Sequence, residues 1–135
     1  MKRLLFLLLV LPVFTFSANA QNQEEQSPEE MAALQAEQMA ELFDFTDYQL
    51  YQADSILQVN YPAMMMEINQ VQRSGAQQQD KYLMVQNKYL EIIDNAFEKI
   101  MTEEQWAKYM KSAYGQAKKK RDAAAAKAEK KARKR

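Results

Sequence analysis

Phe45-Thr46-Asp47-Tyr48-Gln49 (FTDYQ) and Met101-Thr102-Glu103-Glu104-Gln105 (MTEEQ) are two copies of one pattern: apolar residue, Thr, acidic residue, any residue, Gln. Each stands directly before a helical apolar repeat. A Thr at an N-cap accepts a hydrogen bond from the amide three residues on, and a Gln at that third position reaches back to the cap amide. Thr46 with Gln49, and Thr102 with Gln105, have this spacing and predict two capping boxes. Each box satisfies two of the four donors that a helix start leaves without partners. Phe45 before Leu50, and Met101 before Trp106, have the spacing of hydrophobic staples. Asp47, Glu103 and Glu104 put negative charge in the first turn, where the helix dipole favours it.

Working outward, these two starts divide an all-α chain of four helices. Upstream, Ser27-Pro28-Glu29-Glu30 opens a first helix that runs to Asp44, with a cap at Ser27 and proline in the first turn. Its apolar residues are sparse, so it must lie on a neighbour. The second helix starts at Thr46. Leu50, Ala53, Leu57, Tyr61, Met64, Ile68 and Val71 recur at steps of three or four, the mark of a bundle seam. Pro62 lies in phase within that stripe; it removes an amide donor and crowds the carbonyl four residues back, so a kink is expected there. Ser74-Gly75 ends the helix. A third helix over residues 77–100 carries Tyr82, Val85, Tyr89, Ile92, Ala96 and Ile100. The short turn predicts a long antiparallel hairpin of the second and third helices, each roughly 35–40 Å long. Helices this long in so small a domain suit an open assembly as well as a bundle. The fourth helix starts at Thr102, with Trp106, Tyr109, Met110, Ala113 and Ala117 as its stripe.

The two ends of the chain have their own compositions. Lys2 and Arg3 precede an apolar run from Leu4 to Phe16, followed by Ala18-Asn19-Ala20. This is the pattern of a secretory signal over residues 1–20, with cleavage after Ala20 and a periplasmic destination. The run is shorter than the roughly 20 residues that span a bilayer. Residues 21–27 are polar and read as disordered, and residues 28–117 form the helical domain. Residues 21–117 hold 16 acidic and 6 basic side chains, net −10, whereas residues 118–135 hold 10 basic and 2 acidic, net +8. The tail is Ala and Lys with little else, and reads as frayed helix beyond the packed domain.

The inventory argues against catalysis. The chain has no histidine and no cysteine, which excludes disulfides, thiolate metal sites and a Cys or His catalytic centre. Glu103 with Glu104, and Asp44 with Asp47, read as helix-start charges, so neither an enzyme nor a cofactor is expected. Met64, Met65 and Met66 are soft ligands in principle, but consecutive helical residues point about 100° apart and cannot converge on one ion. Methionine also lines adaptable binding surfaces. With Tyr48, Tyr51 and Tyr114, which lie off the apolar stripes, these three methionines are the candidate binding residues for other proteins. The tail cations Lys118, Lys119, Lys120, Arg121, Lys130, Lys131, Arg133, Lys134 and Arg135 are candidates for an anionic envelope surface. Export argues against nucleic acid as the native partner.

The duplicated Thr-x-x-Gln starts, the secretion signal and the long helical pair resemble the Spy/CpxP family of small extracytoplasmic helical proteins. That family carries a twice-repeated Leu-Thr-x-x-Gln; here Phe45 and Met101 replace the leading Leu. The likeness covers roughly residues 28–117. It implies a homodimer with a cradle-like face and a role among ATP-independent chaperones, envelope-stress regulators or metal-responsive proteins. The leading expectation is a periplasmic, ATP-independent chaperone that binds unfolded or envelope proteins on an amphipathic helical face. The alternatives are a regulatory or envelope-attached adaptor docking through the tail, and a metal-responsive sensor.

Overall fold

The computed structural model describes residues 25–75 and 79–135. Among these there are five α-helices and no strand: α1 (Pro28–Phe43), α2 (Asp47–Arg73), α3 (Gln79–Ile100), α4 (Glu103–Lys111) and α5 (Ala113–Arg133). The signal peptide expected over residues 1–20 and most of the 21–27 segment lie outside the described residues. No helix among the described residues is long and apolar enough to cross a membrane.

The helix starts follow from local chemistry. Ser27 caps α1 with Glu30 closing the box, Thr46 caps α2 with Gln49, and Thr102 caps α4 with Gln105. Helix α1 stops at Asp44, which takes the left-handed conformation at φ 53° and ψ 50°, one that short polar side chains tolerate better than most. Helix α2 is continuous through Pro62 and ends before Gly75, whose φ of 69° suits a residue without a Cβ.

Four helices were expected where five are present. The fourth divides at Ser112, whose backbone is extended at φ −75° and ψ 174°. The Ser112 amide closes the last turn of α4 on the carbonyls of Lys108 and Tyr109, and its hydroxyl donates to the Tyr109 carbonyl at 2.6 Å. Gly115 then lies against the last turn of α4. A Cβ there would sit 2.2 Å from the Met110 Cα, so only glycine permits this approach. Helix α5 runs unbroken across Lys118, where the composition changes.

Two apolar clusters hold the helices together. The larger buries Ala32, Ala36, Met39 and Phe43 of α1, Ala53 and Leu57 of α2, Ile93 and Phe97 of α3, Met101, and Tyr109 of α4. Alanines at 32, 36 and 53 let α1 and α2 approach closely. The smaller cluster buries only Met64, Ile68 and Val85, with Tyr61, Met65, Tyr82 and Tyr89 around them. Helices α2 and α3 meet near both ends: Gln49 reaches the Ile100 carbonyl at 2.9 Å, and Lys88 and Tyr89 reach Glu67 at 2.6 and 2.9 Å.

Candidate functional site

The two Thr-x-x-Gln boxes meet in space. Each Gln accepts from its own cap amide: Thr46 donates to Gln49 Oε1 at 3.0 Å, and Thr102 to Gln105 Oε1 at 2.9 Å. The side-chain amides then pair with one another. Gln49 Nε2 donates to Gln105 Oε1 at 2.7 Å, and Gln105 Nε2 donates to Gln49 Oε1 at 3.0 Å. The remaining amide hydrogens go to the carbonyl two residues before the other motif's Thr, Ile100 at 2.9 Å and Asp44 at 3.1 Å. The arrangement repeats itself about a local two-fold. Every donor and acceptor site of both amides is used, which a largely buried Gln49 requires. Phe45, Leu50, Met101 and Trp106 all join the core beneath this pair. Thr46, Gln49, Thr102 and Gln105 therefore lock two helix starts together.

A second polar cluster ties α5 to the body. Asp94 of α3 is buried and accepts hydrogen bonds from the Tyr109 hydroxyl and the Arg121 guanidinium. Burial pushes the Asp94 carboxyl above its ordinary range, while Tyr109 and Arg121 draw it back. Burial, with Asp94 adding, pushes the Tyr109 hydroxyl strongly up. Arg121 Nε is buried without a partner, so this pair fixes the position of α5 more than it adds stability. Asp94, Tyr109, Tyr114 and Arg121 border a cavity of about 30 Å³, room for about one water-sized body. Tyr114 stacks on Tyr109 at 5.6 Å and accepts a hydrogen bond from Gln35. It is thus part of the core edge.

The remaining candidates separate by burial. Tyr48, Tyr51 and Met66 are 69, 68 and 64 % exposed, and Val59 joins them at 70 %. Met64 is buried and Met65 is half-buried against the smaller cluster. The exposed set shares one face of α2: Tyr48, Tyr51, Val59 and Met66, with the half-buried Ser55 and Pro62 between them, follow at steps of three or four. That face lies opposite Ala53, Leu57, Met64 and Ile68, the side of α2 given to the core. It carries no charged residue between Tyr48 and Met66, over about 27 Å. Val59 was missed in the sequence because a single valine beside a strong stripe has no signature of its own. The helical spacing of Tyr48, Tyr51, Val59 and Met66 would have found it.

Of the tail cations, Lys118 pairs with Asp122 at 3.0 Å and lies 3.7 Å from Glu91 of α3, and Arg121 is held by Asp94. Arg133 pairs with Glu129 one turn back. Lys119, Lys120, Lys130, Lys131, Lys134 and Arg135 are exposed. Among the described residues no group of three or more carboxylates converges to hold a metal ion. No protein-family model matches the chain, and no curated protein or solved structure matches it.

Proposed function

We propose that this protein is a secreted, ATP-independent chaperone of the Spy/CpxP kind, which binds unfolded stretches of other proteins on the outer face of α2. The carrying observation is that face: four large apolar side chains, all more than three-fifths exposed, in one uncharged row. Contiguous exposed apolar surface marks interaction sites in soluble proteins. Tyrosine and methionine suit varied partners, tyrosine through a rigid body with a polar tip and methionine through a pliable one. The body is acidic, so apolar contact rather than charge would supply the attraction to most clients.

In this reading α2 and α3 act as a long antiparallel hairpin, bent at Pro62, and two copies pair to make a concave surface. The contacts of Gln49 with Ile100 and of Glu67 with Lys88 support the hairpin. The missing amide at Pro62 supports the bend. The secretion pattern of residues 1–20 supports a periplasmic site of action.

The test is suppression of aggregation of a chemically denatured client at near-stoichiometric ratio, without nucleotide. The protein should suppress it, and Tyr48→Ser/Tyr51→Ser/Met66→Ser should not. Because these side chains face solvent, the triple variant should keep its helical circular dichroism and most of its stability, each change lying within about 0.5 kcal/mol. Unchanged suppression by the variant, or none by the native protein, removes this reading.

A further inference from the structure

Helix α5 sorts its charges. At about 100° per residue, Lys119, Lys120, Lys127, Lys130, Lys131 and Lys134 fall within an arc of about 120° on one side. Tyr114, Ala117, Lys118 and Arg121 fall on the other, which is the side that packs on the body. The two acidic residues of the arm, Asp122 and Glu129, lie on that side as well and are taken by Lys118 and Arg133. All six lysines are exposed, and none has an ion-pair partner among the described residues. The Asp94–Arg121 contact therefore sets the direction in which the lysine row points: away from the acidic body.

We propose that α5 is a rigid arm whose lysine face docks the protein on the anionic headgroups of a lipid bilayer. The row spans about 22 Å from Lys119 to Lys134, enough to meet several headgroups together. Lysine is a compact, hydrated point charge that asks for no fixed geometry, which suits headgroups that move laterally. Beyond Lys118 the arm holds only Lys, Arg, Ala, Asp and Glu. It has no aromatic ring to stack on a base, and no large apolar residue to enter the acyl region. The attraction would be electrostatic, peripheral and lost at high salt. This inference is independent of client binding on α2.

Purified protein is sedimented at low salt with vesicles of equimolar phosphatidylcholine and phosphatidylglycerol, and with phosphatidylcholine alone. Binding is expected to the first and not to the second. Lys127→Ala/Lys130→Ala/Lys131→Ala/Lys134→Ala should weaken it by more than about tenfold, since each lysine near such a surface contributes about fivefold. A second variant, Lys127→Ala/Lys131→Ala with Ala125→Lys/Ala132→Lys, keeps composition and net charge while spreading the lysines around the helix. It should also bind at least several-fold more weakly, with unchanged helical circular dichroism. Equal binding by this second variant overturns the proposal, as does equal binding to phosphatidylcholine alone. Binding to a duplex oligonucleotide at the same salt without binding to the anionic vesicles assigns the face to nucleic acid instead. Tyr48→Ser/Tyr51→Ser/Met66→Ser should leave vesicle binding intact, which separates this surface from the α2 face.

Discussion

The end of the molecule that holds Gln49 and Ile100 buries nine core residues from four helices, with Met101 between α3 and α4 as a tenth, under a closed glutamine pair and a stack of aromatic rings. The opposite end buries Met64, Ile68 and Val85, with a partly exposed Glu67–Lys88–Tyr89 cluster across its surface. The hydrogen bond from Lys88 holds the Glu67 carboxyl below its ordinary range. Exposed pairs of this kind contribute little to stability. The difference follows from how many helices reach each end. Helices α1, α4 and α5 cover the first, whereas among the described residues only α2 and α3 contribute to the second. Stability is therefore concentrated where the motifs are, and the far end is held by few apolar contacts. Such regions open at lower free energy than the rest of a fold. The α2 face runs from the strong end to the weak one, from Tyr48 to Met66.

The largest effect that would test this contrast is in the larger core. Phe97→Ala should remove about 3–5 kcal/mol in urea unfolding, because Phe97 is almost fully enclosed. With the same side chain removed at each end, Ile93→Ala in the larger core should cost more than Ile68→Ala at the far end, because the far cluster buries fewer residues. Both should lie within the roughly 2–5 kcal/mol of such truncations. Equal losses would mean that the two ends do not differ as described.

Next comes the glutamine pair. The lone box at α1 uses Glu30, whereas the two boxes that meet use Gln49 and Gln105. A carboxylate can close a box, but it has no amide hydrogens to give the other motif. Gln105→Glu should therefore keep its local cap and still lose about 1–3 kcal/mol through the stranded partners. Gln49→Glu should behave alike, and the pair should be non-additive in a double-mutant cycle by about 0.5–3 kcal/mol. Glu30→Gln should be close to neutral. Additive effects at positions 49 and 105 would show two independent caps.

The smallest effect is read by alkaline titration. Tyr61 packs against both clusters and so lies at their junction. Burial, with Tyr114 adding, pushes its hydroxyl up to about 12. In the unfolded chain a tyrosine ionises near pH 10, so the folded state favours the neutral form. That contribution is complete below about pH 10 and is lost as pH rises toward about 12. Thermal stability should fall over that interval, together with the rise of tyrosinate absorbance, and Tyr61→Phe should reduce the fall. An unchanged slope in Tyr61→Phe would place the junction elsewhere.

Local spacing made the helical class and the helix starts readable, since a capping box and an apolar stripe each involve residues within a turn or two. The break at Ser112 was less visible, because the alanine and lysine after it favour helix equally well on either side. Its one sign was Gly115, three residues beyond a possible Ser cap. The binding candidates divided for a similar reason. Met64, Met65 and Met66 are alike in type, and only the direction of the core separates the buried residue from the exposed one. Thr-x-x-Gln and apolar periodicity specify the helix starts without any neighbour, because their partners lie along the same short segment. The meeting of Gln49 with Gln105 and the capture of Arg121 by Asp94, which turns the lysine row outward, join residues 56 and 27 positions apart. Such contacts depend on which helices pack together, and no local spacing carries that information.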